Sequence, residues 1–310
     1  MQMRLVYSPA YIADIGPHTF PIEKYRLVAE ALRNAHRIPP ASFDEPQPAT
    51  RQQLLRVHSE AYLEDLDRCE WTQRTVQSEL PLTAEIVGMF TLACGGTIRA
   101  TELAIEDGAA VHIGGGFHHA FANKAEGFCY LNDLAVAIRH VQSRGTIQRA
   151  MVIDCDLHQG NGTAHIFQSD RTVFTFSMHQ QRLYPIKEES DLDIPLRNGV
   201  RDEEYLGLMR SHIPKILDEF RPGLILYQAG ADPFEEDQLG NLELTIDGLA
   251  QRDRLVFQWA ADRHIPIAAT LGGGYARDTK DTVAIHVNTA MEAWKLFFTR
   301  ARDSSGENPR

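Results

Sequence analysis

The 310-residue sequence has only four cysteines, Cys69, Cys94, Cys129 and Cys155, and no two of them form a C-x-x-C pair. That spacing excludes a cysteine-built zinc site and a disulfide framework, so a reducing, cytoplasmic setting is the expectation. No run of about 18 apolar residues occurs, and MQMRLVYSPAY at the start holds no apolar signal core; neither secretion nor a membrane partner is expected. A basic excess is missing too, with 31 Lys and Arg against 42 Asp and Glu and a formal charge of −11. A nucleic-acid partner is therefore not expected. The acidity suits either a cationic substrate or plain solubility. Also absent are G-x-S-x-G, H-E-x-x-H, G-x-x-x-x-G-K-[ST] and G-x-G-x-x-G, which removes the serine-hydrolase elbow, the zincin helix, the P-loop and the dinucleotide fingerprint.

What is present is alternation. Short apolar runs at 109–113, 150–154, 172–176, 224–228 and 265–271 are mostly separated by helical patterns at 131–143, 203–220 and 245–263. Such alternation predicts an α/β fold, a parallel sheet covered by helices on both faces. Upstream, 22–38 reads as a helix with Tyr25, Val28, Leu32 and Ala35 on one face, stopped by Pro39 and Pro40. A second helix is predicted over 84–107, where Gly95 and Gly96 imply close backbone packing. The segment PASFDEPQPATR, 40–51, reads as a surface loop and marks no domain boundary.

In parallel sheets ligands collect beyond the carboxyl ends of the strands. There this chain carries GGGFHHAF with His118 and His119, then DCDLHQGNG with Asp154, Asp156, His158 and Asn161. Ser177, Met178 and His179 follow the third run, AGADPF with Asp232 the fourth, and GGGY with Tyr275 the fifth. Asp156 and His158, two apart, point to one side of an extended segment. With Asp232 they make two carboxylates and one imidazole, a set that leaves a position for water on a catalytic divalent ion; a buried Asp–His hydrogen bond is the plainer alternative. Zinc is the default metal, and Fe²⁺ accepts similar ligands. Paired imidazoles can ferry protons near neutral pH, and Tyr275 can donate its phenol to a developing oxyanion. Acidic runs at Glu188–Glu189–Asp191 and Glu235–Glu236–Asp237 read either as a solvated face or as attractors of cations.

GGGFHHAF, GFCYLND (127–133), DCDLHQGNG, AGAD and LGGGY, in this order, resemble the histone deacetylase superfamily of zinc-dependent amidohydrolases. VYSPAY (6–11) and VHSEAYL (57–63) extend the likeness over nearly the whole chain. HQGNG, the stretch GGTIRATELAIEDG (95–108) and the compact length resemble the class IV, or histone deacetylase 11-like, branch, and suggest a bacterial source.

The resemblance implies a three-layer arginase/deacetylase-like α/β fold, with a parallel eight-stranded sheet between helices. It implies one catalytic domain over 1–300 and a polar tail at 301–310. It also implies roles: Asp156, His158 and Asp232 hold Zn²⁺, and His119 is general base and then acid. His118 is its electrostatic partner, oriented by Asp154, and Tyr275 donates to the oxyanion. Asn161 tunes His119 from a position where class I enzymes carry an aspartate. Gly127, Phe128 and Gly273 line a tunnel for the acyl-lysine chain, opposite Tyr184 or Leu183, with Leu239 on the rim. K⁺ is implied near Asp154, Asp156, His158, Ser177 and Met178. Gly160 and Gly230 stand where a two-metal arginase needs carboxylates, which favours one metal. The activity expected is removal of acyl groups from acyl-lysine proteins or peptides, with small acylated amines such as acetylpolyamines as the alternative substrates. A non-catalytic acyl-lysine reader is disfavoured, because every expected catalytic residue is present.

Overall fold

Strands buried on both faces explain the uninterrupted apolar runs, which alternation in a half-solvated sheet would have broken. The computed structural model describes residues 3–305. Its strands are β1 (Arg4–Val6), β2 (Phe43–Asp44), β3 (Ala109–His112), β4 (Ala150–Asp154), β5 (Val173–Gln180), β6 (Leu192–Leu196), β7 (Ile225–Gln228) and β8 (Ile267–Thr270). All pair in parallel, in the order β2-β1-β3-β8-β7-β4-β5-β6. The helices are α1 (Lys24–Asn34), α2 (Arg51–Leu54), α3 (Glu60–Asp67), α4 (Ala84–Asp107), α5 (Asp133–Ser143), α6 (Asn161–Phe167), α7 (Asp202–Phe220), α8 (Ile246–Asp262) and α9 (Thr279–Ser305). This is the eight-stranded parallel sheet that the resemblance implied. Among the described residues no helix is long and apolar enough to cross a membrane.

Side chains alternate across the pleat and sort the core into two layers. Ala110, Val152, Leu226 and Ala268 pack against Leu103 of α4, Ile138 of α5 and Phe167 of α6. Their neighbours Val111, Ile153, Tyr227 and Ala269 belong to the opposite layer, with Ile213 of α7 and Phe257 of α8. Helix α4 starts on Thr83, whose side chain accepts the Ile86 N–H, and ends at Gly108, whose φ of +97° suits a residue without Cβ. The expected close packing at its glycines is present. A Cβ on Gly95 would lie 1.8 Å from the Gln47 carbonyl oxygen, and one on Gly96 would lie 2.2 Å from the Tyr11 hydroxyl.

Several expectations need correction. Helix α1 ends at Asn34, before the prolines, because Arg37 turns left-handed at φ +53° and the Ile38 N–H closes onto Leu32; Ala35 is therefore exposed. The 40–51 segment contributes the edge strand β2, held by Asp44 accepting from Arg99 at 2.9 Å. Ser177, Met178 and His179 do not follow a strand; they continue β5, which stays buried through Gln180. The last helix runs through Ser305, across the 300/301 boundary, and the remainder of the expected tail, 306–310, lies outside the described residues.

Candidate active site

In the strand order, β3, β8, β7, β4 and β5 are consecutive neighbours, so the loops beyond their carboxyl ends meet above one stretch of sheet. Register makes this concrete: Asp154 pairs with Ser177 on one side and with Gln228 on the other, and Gln228 pairs with Thr270. Gln228 then ties the two glycine runs together. Its Nε2 donates to the Gly116 carbonyl at 2.8 Å, and its Oε1 accepts from the Thr270 hydroxyl at 2.6 Å. A Cβ at Gly116 or Gly272 would lie 2.2 or 2.3 Å from this amide, so only glycine lets both loops close on it. Asp133 anchors the first loop from beneath, accepting the N–H groups of Gly116 at 2.9 Å and Phe117 at 2.7 Å and the Thr97 hydroxyl.

Asp156, His158 and Asp232 are brought together as expected. Their ligand atoms all lie within 4.8 Å of one another, and all three residues are buried. Nδ1 of His158 is 3.1 Å from Asp232 Oδ2 and 3.4 Å from Asp156 Oδ1. Each carboxylate is also oriented from its far side: the Gly273 N–H donates to Asp156 at 2.9 Å and the Leu157 N–H to Asp232 at 2.9 Å. Burial together with the adjacent Asp156 pushes Asp232 up to about 7. Burial opposes a charge on His158, but the two carboxylates outweigh it and hold its pKa at about 10. Two carboxylates crowded with an imidazole in a buried site could hold a divalent ion. The donor set fits Zn²⁺ or Fe²⁺. There is no room for a second such set: a Cβ at Gly160 would lie 2.4 Å from Asp154 Oδ2, and one at Gly230 would lie 2.3 Å from Asp156 Oδ2.

The two histidines stand side by side, with ring centroids 4.1 Å apart, but their partners differ in charge. His118 Nδ1 donates to Asp154 Oδ2 at 2.7 Å, whereas His119 Nδ1 lies 2.7 Å from the amide oxygen of Asn161. Burial disfavours imidazolium at both. At His118 the carboxylates of Asp154 and Asp156 overcome it and raise the pKa to about 9. At His119 burial is reinforced by His118 and His158, and the pKa falls well below the usual range. Their neighbours thus favour the charged ring at His118 and the neutral ring at His119.

Gly115, Gly116, His118, His119, Asp156, His158, Gly273 and Tyr275 line a narrow cavity that Phe20, Gly127 and Phe128 also bound. A second cavity shares His119, Gly127, Phe128, His158 and Tyr275 with it and is lined further by Glu79, Leu183, Tyr184 and Leu239. Tyr184 and Leu183 both line this second cavity together with Phe128. Gly273 lines the narrow cavity rather than the tunnel wall, and its N–H serves Asp156. Burial, then Asp232 and Asp156, raises the Tyr275 phenol well above its ordinary pKa, so it stays a donor. Asp237 does not belong to a solvated acidic face: it is buried and accepts the N–H groups of Tyr275 at 2.7 Å and Leu239 at 2.9 Å.

Residues not anticipated are Phe20, Lys24, Asp133 and Gln228. Gln228 had a signal, a polar residue closing the buried run LILYQ, as did Asp133 at the end of GFCYLND. Lys24 had a fainter one, a cation four residues before Val28 on the buried face of α1.

The histone deacetylase domain model matches residues 18–291. An uncharacterized protein of Picosynechococcus sp. is 41% identical over 293 residues, covering 92% of this chain and 96% of that one. Histone deacetylase 2 of Arabidopsis thaliana is 31% identical over 298 residues, covering 91% of this chain and 77% of its own length. Among solved structures, an HDAC homolog from Aquifex aeolicus superposes with a TM-score of 0.81 at 25% identity, over 95% of this chain and 84% of that one. Every residue of the site built above falls inside the matched stretch, and on this agreement of fold, site and sequence the chain belongs to the histone deacetylase family.

Proposed function

We propose that the chain is a zinc-dependent deacylase that hydrolyses the amide of acyl-lysine side chains. The observation that carries the proposal is the division between the two cavity histidines: a carboxylate behind His118 and a neutral amide behind His119, both beside the Asp156–His158–Asp232 cluster. A divalent ion held by those three residues would supply Lewis acidity and lower the pKa of water.

The chain's own residues do the rest. His119, with Nδ1 tied to Asn161, offers Nε2 to the cavity as the base that removes a proton from the attacking water. The same nitrogen then returns that proton to the leaving amine. His118 remains cationic on Asp154 and stabilises negative charge as it develops. Tyr275 donates its hydroxyl to the oxyanion, and Gly127, Phe128 and Tyr184 take up the methylene chain. K⁺ is proposed behind the centre, at Asp154, Asp156, His158, Ser177 and Met178; the pairing of Asp154 with Ser177 across β4 and β5 supports it. A reducing cytoplasm suits the four free thiols, three of them buried.

A second substrate class, small acylated amines such as acetylpolyamines, is favoured by Glu79 in the lining of the second cavity, where a carboxylate suits a distal ammonium. The deciding assay presents lysine peptides bearing acetyl to myristoyl groups beside acetylpolyamines, to protein of measured zinc content. Turnover confined to peptides supports the first class and turnover confined to polyamines the second. No turnover of any amide by fully loaded protein would overturn both.

A further inference from the structure

We infer that Glu126 is the positioning residue that decides where the general base carries its proton: acting through Asn161, it holds His119 in the tautomer with a bare Nε2. The inference rests on the deacylase reading only for the name of base given to His119.

The geometry is a relay of four side chains. Lys124 Nζ donates to Glu126 Oε2 at 2.6 Å, Asn161 Nδ2 donates to Glu126 Oε1 at 2.7 Å, and Asn161 Oδ1 lies 2.7 Å from His119 Nδ1. Asn161 is 1% exposed and the Glu126 side chain 14%, so water competes little for the bonds of Asn161, whereas the Lys124 side chain is 34% exposed.

The chemistry of each member fixes the next. A carboxylate can only accept, and Glu126 accepts from Lys124 Nζ on one oxygen and from Asn161 Nδ2 on the other. The Asn161 amide must therefore turn its NH₂ towards Glu126, which turns its carbonyl towards His119. A carbonyl also only accepts, so Nδ1 of His119 must be the N–H, and Nε2 is left as a lone pair on the cavity side. Rotating the amide would set its oxygen against the Glu126 carboxylate, two acceptors at hydrogen-bond distance. Without Glu126 both amide orientations become open. In the second, Asn161 donates to Nδ1, the proton moves to Nε2, and the ring cannot accept from water.

Glu126 also belongs to the turn that builds the tunnel wall, but through its backbone. Its N–H donates to the Cys129 carbonyl at 3.1 Å and its carbonyl accepts from the Cys129 N–H at 2.9 Å. Gly127 and Phe128, at φ +50° and +61°, form the corner between them. Truncating the side chain therefore leaves the turn's own backbone bonds in place, although it also removes the carboxylate beside the Tyr184 phenol.

The test is a double-mutant cycle with an independent spectroscopic readout. Glu126→Ala is expected to lower kcat about tenfold, a loss typical of groups that orient a reacting side chain, with KM for an acyl-lysine peptide changed less than about threefold. Glu126→Gln leaves one acceptor oxygen for two donors, Lys124 Nζ and Asn161 Nδ2, and is expected to recover only part of the loss. In an Asn161→Asp background both oxygens accept from Nδ1 whichever way the carboxylate turns, and one of them faces Glu126 as acceptor to acceptor, so Glu126→Ala should there cost nothing or raise the rate. Nitrogen-15 resonances of histidine-labelled full-length protein should show His119 protonated on Nδ1 in the wild type and shifted towards Nε2–H in Glu126→Ala. Equal cost of Glu126→Ala in both backgrounds, or a tautomer indifferent to Glu126, overturns the inference. A protein that turns over no amide, yet whose His119 tautomer follows Glu126, upholds it and sinks the deacylase reading instead.

Discussion

Lys24 Nζ donates to the Gly272 carbonyl oxygen at 2.7 Å across 248 positions of sequence, and Lys24 has no exposed surface. The ammonium also lies 5.0 Å from the Phe20 ring centroid, 5.6 Å from that of Tyr25 and 5.7 Å from that of Tyr275. Burial lowers its pKa to about 8, while Asp232, Asp156 and Asp237 favour the charged form. Gly272 sits at φ +61° and begins the loop that delivers Tyr275. One buried cation therefore holds the loop by its first carbonyl and touches the ring at its end.

Lys24→Met keeps the length of the stem and removes the donor. Kcat is expected to fall about 10- to 100-fold through misplacement of the Tyr275 loop, because small displacements of reacting groups are that costly. Bound metal should stay stoichiometric. Full activity in this variant would show that the loop holds its shape without the cation.

Tyr275→Phe deletes one oxygen and leaves the ring among Phe20, Phe128 and Lys24. The loss expected in kcat is about 10²–10³, the size seen when one oxyanion donor is removed, with KM changed far less. Steady-state kinetics at matched metal content decides it; an unaltered kcat would reduce Tyr275 to a wall of the cavity.

The parts of the fold that could be read in the sequence are those buried on both sides. AMVID is β4 residue for residue, because every position in it is covered and none needs to be polar until Asp154. The site was legible for the same reason, since Asp156, His158, Asp232 and Tyr275 interrupt or follow such runs. Edges were not: β6, LDIPL, is half-exposed and contains a proline, which reads as loop. Helix α9 escaped because its inward face includes Thr282, His286 and Thr289, polar residues buried at helical spacing; Thr289 bonds Asp253 at 2.6 Å. Lys24 could be read only faintly, and Glu126 not at all. Their partners, Gly272 and Asn161, lie on other elements, and a lone Lys or Glu ordinarily signals solvent.

Asp156→Ala and Asp232→Ala each delete one of three ligands and a charge that offsets a divalent ion. Either is expected to abolish turnover and to lose bound zinc, measured by elemental analysis of purified protein. The remaining His158–carboxylate pair should also release its proton more readily than in the wild type, since part of what raises its pKa is gone. Stoichiometric zinc with near-normal rate in either variant would falsify the ligand assignment.

His58 gives a prediction on stability rather than catalysis. It is 2% exposed and is held by two backbone groups of opposite kind: Nδ1 lies 3.1 Å from the Phe121 carbonyl, and Nε2 accepts the Asn132 N–H at 3.1 Å. The first bond needs a proton on Nδ1 and the second forbids one on Nε2, so only the neutral ring satisfies both. Burial lowers its pKa from 6.5 to about 4, against the weaker opposing pull of the Phe121 and Ala122 backbone. The unfolded chain takes up this proton below pH 6.5 and the folded chain only near pH 4, so the unfolded state binds more protons throughout that window. The contribution is complete above pH 6.5, declines as the pH falls, and amounts to on the order of 3 kcal/mol lost by pH 4. Urea denaturation of wild type and His58→Gln between pH 7 and pH 4 isolates it, because the variant keeps every other titrating group. The stability gap between the two proteins should be widest at pH 7 and close steadily towards pH 4. A gap that stays constant across the window would mean that folding does not lower the pKa of His58, so that the folded ring takes up its proton as readily as the unfolded one, and with it that the Asn132 N–H is not its partner.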